Sequence, residues 1–244
     1  ATGHGIHINP SPNSLIQGND IKIVDNHGIN VAGGNTGVKV DDNDINGATL
    51  DGIHVELSND IEITKNKIYG TSSYTGAGGS GIFVQNGLSG LIKDNEILGA
   101  NGSGGFTGLK GANGDGIFVN NNDGVEIDNN TIKGGNGASP NGSHGGSGAG
   151  GHGIYVTNSQ QARIVNNDIL TGNNNNSSRR GGQGADKSGI YAVNNAGINT
   201  AGYRDGIFID SNIINSTNSN VLSVGDDGIY VENRKLTIQR NALG

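Results

Sequence analysis

His27, Asp51 and His54 carry the side chains in this sequence best suited to moving a proton near neutrality. An imidazole changes charge close to physiological pH, and a carboxylate beside it can orient the ring or stabilise its charged form. Asp51 and His54 are near neighbours in the chain, whereas His27 lies well before both. The three meet only if the chain returns to the same place with a period close to the separation of His27 from Asp51, so the chemistry depends on a repeat. His4, His7 and Glu56 border the same group. Against a proton-transfer role stands a simpler one, since a short polar residue before a Gly is an ordinary turn former. That simpler role is the one expected here.

The repeat exists. The phrase Gly-Ile-x-Val reads GIHI at Gly5, GINV at Gly28, GIHV at Gly52, and GIFV at both Gly81 and Gly116. It continues as GIYV at Gly153, GIYA at Gly189 and GIYV at Gly228. At a regular distance after these Ile residues comes an Asn, itself just before another Ile or Leu: Asn19, Asn43, Asn66, Asn95, Asn130, Asn167, Asn212 and Asn241. Short alternating segments precede them, such as Ile61–Thr64, Val125–Asp128 and Leu236–Gln239. One coil thus reads strand, turn, strand, Asn, Ile, corner. The phrases at Gly5, Gly28 and Gly52 are almost evenly spaced, at a period typical of β-solenoid coils. Strand alternation turns both ends of each Ile-x-Val inward and the middle residue outward. The Asn residues should form a ladder at a bend, where their amides bond the coils above and below and the backbone can turn left-handed.

Composition agrees with a thin core. Only 32% of the 244 residues are hydrophobic, 4% are aromatic and 46 are Gly, too few apolar groups for an ordinary globule of this size. An amphipathic helix is the rival architecture, and frequent Gly makes it costly. The expected fold is all-β, a single-stranded right-handed parallel β-helix of about eight coils over residues 1–244, one domain.

The pattern GIxV…IxIxxNxIxG resembles the parallel β-helix repeat shared by carbohydrate-binding proteins, sugar hydrolases, polysaccharide lyases and alginate epimerases. The resemblance covers essentially the whole chain, and the residues that carry it are structural, so it speaks to fold more than to activity. It implies two kinds of role. If the chain is an enzyme, His27, Asp51 and His54 would do the proton abstraction and return that uronan lyases and epimerases require. Those enzymes usually carry a Tyr–His–Asp signature with a basic neutraliser, and no Asp-Pro-His segment occurs here. Pectinolytic hydrolases need carboxylates on adjacent coils. The column before each Gly (His4, His27, Asp51, Ser80, Asp115, His152, Ser188, Asp227) offers none on neighbouring coils.

The outward column points elsewhere. His7, Asn30, His54, Phe83, Phe118, Tyr155, Tyr191 and Tyr230 share one position, and five successive aromatics there suit an extended glycan. Phe83, Phe118, Tyr155, Tyr191 and Tyr230 are therefore the expected ligand-binding residues. Self-stacking is the alternative explanation for the same column. Gly-, Asn- and Ser-rich insertions at one shared corner, Tyr69–Ser80, Gly99–Asp115, Gly134–His152 and Thr171–Ser188, should border or cover it, and Asn195–Asp205 interrupts the other corner.

Other roles find little support. The net charge of −7 without a basic stripe argues against nucleic acid, although Arg179, Arg180, Lys187 and Arg204 could form a local basic patch. No apolar run approaches the roughly 20 residues of a membrane span. Asp20 and Asp44, with Asp41 and Asp42 nearby, could offer oxygens to calcium. Lys65 and Lys67 interrupt that column and no DxDxDG loop occurs, so no metal or other cofactor is expected. The outward columns are too mixed for ice binding. The first residues lack the features of a signal peptide, and neither end reads as a cap, which suggests a segment of a longer solenoid or head-to-tail self-association. The sequence is therefore read as a non-catalytic extracellular or cell-surface β-helix module that contacts polysaccharide and can stack end to end. A polysaccharide lyase or C5-epimerase-like enzyme acting on an acidic glycan is the alternative.

Overall fold

The structure, a computed structural model, describes residues 3–70, 79–98, 115–133, 152–171, 189–193, 207–216, 229–232 and 236–243. These residues form strands and turns, and no helix occurs among them. The strands wind as a parallel β-helix. A representative coil contains Ile29–Val31, Lys39–Asp41 and Asp44–Ala48. The first two strand positions of the coils belong to a 14-stranded sheet, and the third builds an 8-stranded sheet. In two coils the first and second strands fuse, as Ile82–Lys93 and Ile117–Asp128.

The expected isoleucine ladder is present. Ile6, Ile29, Ile53, Ile82, Ile117, Ile154, Ile190 and Ile229 follow one another in parallel register. The six from Ile29 to Ile190 have no exposed surface, which is how a chain poor in hydrophobics still makes a dry core. The residue two after each ladder Asn up to Asn212 is buried from the opposite sheet, through Ile21, Ile45, Ile68, Ile97, Ile132, Ile169 and Ile214, whereas Leu243 in the last coil is exposed. The sequence pattern reads this segment as a corner. It is a third strand, because the bend is complete at the Asn and the chain is extended again at the next residue.

The Gly before each ladder isoleucine from Ile6 to Ile154 sits where the two sheets converge. A Cβ at Gly81 would lie 2.4 Å from Ile97 Cγ2 and 2.7 Å from the carbonyl oxygen of Gly116. Steric closeness, not an unusual φ, requires glycine there.

The asparagine ladder is continuous. Each amide Nδ2 donates to the Oδ1 of the next coil's Asn at 2.9–3.0 Å, from Asn19 through to Asn241. The same Oδ1 accepts the preceding Asn's backbone N–H, as Asn95 Oδ1 does from Asn66 at 2.9 Å. The left-handed backbone expected of these Asn residues belongs instead to the residue before each of them. Asp42, Lys65, Asp94, Asn129 and Asn166 have φ between 53° and 56°. The inserted segments lie largely or wholly outside the described residues, as do Ser188 and Asp227 and the basic residues Arg179, Arg180, Lys187 and Arg204.

Candidate functional site

The winding brings His27, Asp51 and His54 together. Asp51 stands at the bend before Gly52, directly above His27 in the coil stack, and His54 is the outward residue of the strand that follows. Asp51 Oδ2 lies 2.8 Å from His54 Nδ1 and 3.1 Å from His27 Nδ1. Its other oxygen, Oδ1, accepts the backbone N–H of Ser80 at 2.7 Å. The Asp51 backbone N–H in turn donates to His27 Nδ1 at 3.1 Å. His54 Nε2 is 4.0 Å from a carboxylate oxygen of Glu56, whose other oxygen accepts from Gln85 Nε2 at 2.8 Å.

Part of Asp51's work is structural. Asp115 does the same at the equivalent bend, accepting the His152 backbone N–H at 2.6 Å. What Asp51 adds is the pair of imidazoles. Burial pushes its carboxyl upward, but hydrogen bonds to His27 and His54 outweigh burial and hold it below the ordinary 3.8. The carboxylate is thus ionised at neutral pH and can accept a hydrogen bond from His54 Nδ1, while the other ring nitrogen, Nε2, faces Glu56. The next imidazole along, His4, is held below 6.5, first by burial and then by the neighbouring His27, His7 and His54.

The expected ligand-binding rings also align. Phe83, Phe118, Tyr155, Tyr191 and Tyr230 stand in register on adjacent strands, each half-buried. Phe83 and Phe118 stack at 4.9 Å, and Tyr191 and Tyr230 at 4.8 Å. Tyr155 stands at 89° to Phe118 and 88° to Tyr191. The stack does not begin at Phe83. His54 lies against it at 4.7 Å and only 4° from parallel, His27 stacks on His54 at 4.2 Å, and His4 on His27 at 5.2 Å. His152 enters the same way, 4.3 Å from Tyr191. The sequence sets His54 in the aromatic column, and the structure adds His4, His27 and His152 from the column before each Gly, so that the rings of both columns form one ladder. The signal was the recurrence of His in both columns, at positions that a bend brings side by side.

The acids considered for calcium are spread out. Asp20 and Asp44 pair in register, and the next residues in that row are Lys67 and Glu96. Asp20 is bridged by Lys22 at 2.6 Å, and Asp41 accepts from Thr64 and Gln17. Among the described residues, the group whose potential metal-ligating atoms all lie within 4.8 Å of one another is His27, Asp51 and His54.

The profile of the family described as "Right handed beta helix region" matches residues 3–137, more than half of the chain. The chain belongs to this right-handed β-helix family. Solved β-helices of similar fold include the A-module of the Azotobacter vinelandii mannuronan C-5 epimerase AlgE6, with a TM-score of 0.68, 14% identity and 99% of this chain aligned to 54% of that one. The periplasmic alginate epimerase AlgG aligns over 99% of this chain and 47% of its own, with 13% identity and a TM-score of 0.60. A double mutant of AlgG gives 0.62 at 13% identity, covering 99% of this chain and 48% of that one. This β-helix therefore spans about half the length of these structures, and the likeness is one of fold. No curated protein matches the sequence.

Proposed function

We propose that this β-helix is a non-catalytic module of an extracellular or cell-surface protein that holds an extended polysaccharide along its ring ladder. Tyr155 carries the reading. It lies nearly perpendicular to both ladder neighbours, with the His152 ring 5.2 Å away at 67°, so neither Phe118 nor Tyr191 stacks face to face on it, and it remains half-buried rather than sealed. A ring held this way can stack on the apolar face of a sugar at low entropic cost. Beside the rings runs a polar row of Glu56, Gln85 and Asn120, in register on successive coils, that can serve hydroxyls. An apolar strip with a hydrogen-bonding border matches the two chemistries of a glycan. The names of the fold neighbours, which refer to alginate and mannuronan, support the same substrate class.

Affinity electrophoresis and calorimetry against alginate, pectate and neutral glucans test this. Tyr155→Ala combined with Phe118→Ala should weaken binding at least ~10-fold while the melting curve still shows a folded β-helix. Binding that survives the double substitution removes the ladder from the interface.

A second reading, a lyase or C5-epimerase-like activity on an acidic glycan, is favoured by the 2.8 Å contact between Asp51 and His54. Absorbance of unsaturated product reports the lyase, and uptake of solvent deuterium at C5 reports the epimerase. Activity present in the unsubstituted chain and abolished by His54→Ala would establish this reading over the first.

A further inference from the structure

We propose that His27 Nδ1, Asp51 Oδ2 and His54 Nδ1 form a three-ligand site for a divalent transition ion of the zinc type. This inference does not rest on glycan contact. The donor set is the starting point, since two imidazole nitrogens and one carboxylate oxygen converge within 4.8 Å. Calcium and magnesium take oxygen ligands, whereas imidazole suits zinc and its neighbours. Three protein ligands leave a fourth position open for water or a substrate oxygen, and both imidazoles are only half-buried.

The hydrogen bonding around the cluster leaves a place for a cation. In the His27 tautomer that carries its proton on Nε2, Nδ1 turns a lone pair toward the Asp51 backbone N–H and Asp51 Oδ2, each 3.1 Å away, and an ion that takes this lone pair replaces the N–H contact. A carboxylate oxygen and an unprotonated ring nitrogen at that distance repel each other, and a cation between them turns the repulsion into ligation. Ser80 holds Asp51 Oδ1 with its backbone N–H, which leaves Oδ2 as the oxygen available to a metal. Ring stacking fixes the imidazoles, with His4 below His27 and Phe83 above His54. Ligation at Nδ1 leaves the His54 ring proton on Nε2, where Glu56, 4.0 Å away, is placed to orient that ring from behind, as carboxylates do for metal-bound histidines.

Ligation requires small movements. Bonds of about 2.0–2.1 Å in a tetrahedron place ligands about 3.3 Å apart. The contacts of 2.8 and 3.1 Å must therefore open by a few tenths of an ångström. The rings, now 29° from parallel, must also rotate about their Cβ–Cγ bonds, which are soft torsions.

The test uses the untagged chain, stripped with EDTA and dialysed, titrated calorimetrically with zinc chloride and spectroscopically with cobalt(II). We expect one zinc per chain, a tetrahedral cobalt band in the visible, and no displacement by excess calcium or magnesium. His54→Phe should lower zinc affinity by ~100-fold or more. Phe at that position can stack on Phe83 as Phe118 does, so the fold is preserved. Asp51→Asn should do the same while its amide oxygen keeps the Ser80 bond, and His7→Ala should leave the affinity within about threefold of the parent. No zinc uptake by the parent chain, or uptake that both His54→Phe and Asp51→Asn leave within about threefold, overturns the proposal. The cluster is then an ion pair held by protons alone.

Discussion

At the scale of single residues, Asp51 is the group whose environment departs furthest from what its neighbours in sequence suggest. Followed by Gly, it reads as a turn residue, and it does cap the Ser80 N–H. Its second oxygen holds two imidazoles, and this lowers its pKa below 3.8 despite burial. A carboxyl whose folded value lies below its unfolded one adds stability above the unfolded value and withdraws it as the pH falls through the folded value. Asp51→Asn should therefore be less stable than the parent at about pH 6, with the gap narrowing steadily below about pH 4. Urea midpoints across that range measure it. A gap that stays constant to about pH 3 would mean that the ionised carboxylate carries none of the difference.

At the scale of strands and bends, glycine has two unlike uses, and only one of them is legible in the sequence. The Gly of every Gly-Ile-x-Val phrase recurs, and the structure gives the reason in the approach of two sheets. Gly81→Ala would drive a methyl into Ile97 and the Gly116 carbonyl, and should cost about 1–3 kcal/mol. Gly90 faces the interior between Ile61 and Val125, with its nearest neighbours at 3.6 and 3.9 Å. Gly90→Ala should be neutral or stabilising by up to about 1 kcal/mol, since it limits the unfolded chain and makes only ordinary van der Waals contacts. Thermal unfolding of the two variants side by side checks the contrast, and equal losses would refute the steric account. The third strand escaped the sequence reading for a related reason. It begins immediately after a bend, so its alternation is too short to register as a period.

Over the whole molecule, the strands of each coil pair, among the described residues, only with those above and below, a quasi-one-dimensional arrangement in which local damage should stay local. Asn95 tests this, because its amide links Asn66 to Asn130. Asn95→Ala leaves the Asn66 backbone N–H without its acceptor in a buried bend and should cost about 1–3 kcal/mol. Native-state hydrogen exchange should accelerate most at Asn66 and Asn130 and least at Asn19 and Asn212. Uniform acceleration along the ladder would instead show one all-or-none unit.

The sequence by itself determined the winding. Gly-Ile-x-Val and the Asn that follows it at a regular distance set coil length, core ladder and amide ladder, because each is a local pattern repeated until its copies must stack. Tertiary structure alone decided which neighbours those copies acquire. Residues from two different columns, His27 and Asp51 in one and His54 in the other, meet because a bend turns the first beside the second. Periodicity records how often a residue recurs and leaves out the direction its side chain takes at a corner. The phenylalanine and tyrosine positions were legible as a row. The entry of His4, His27 and His152 from the neighbouring column, and the right-angle turn of Tyr155, came only from packing rings of different sizes at a fixed strand spacing.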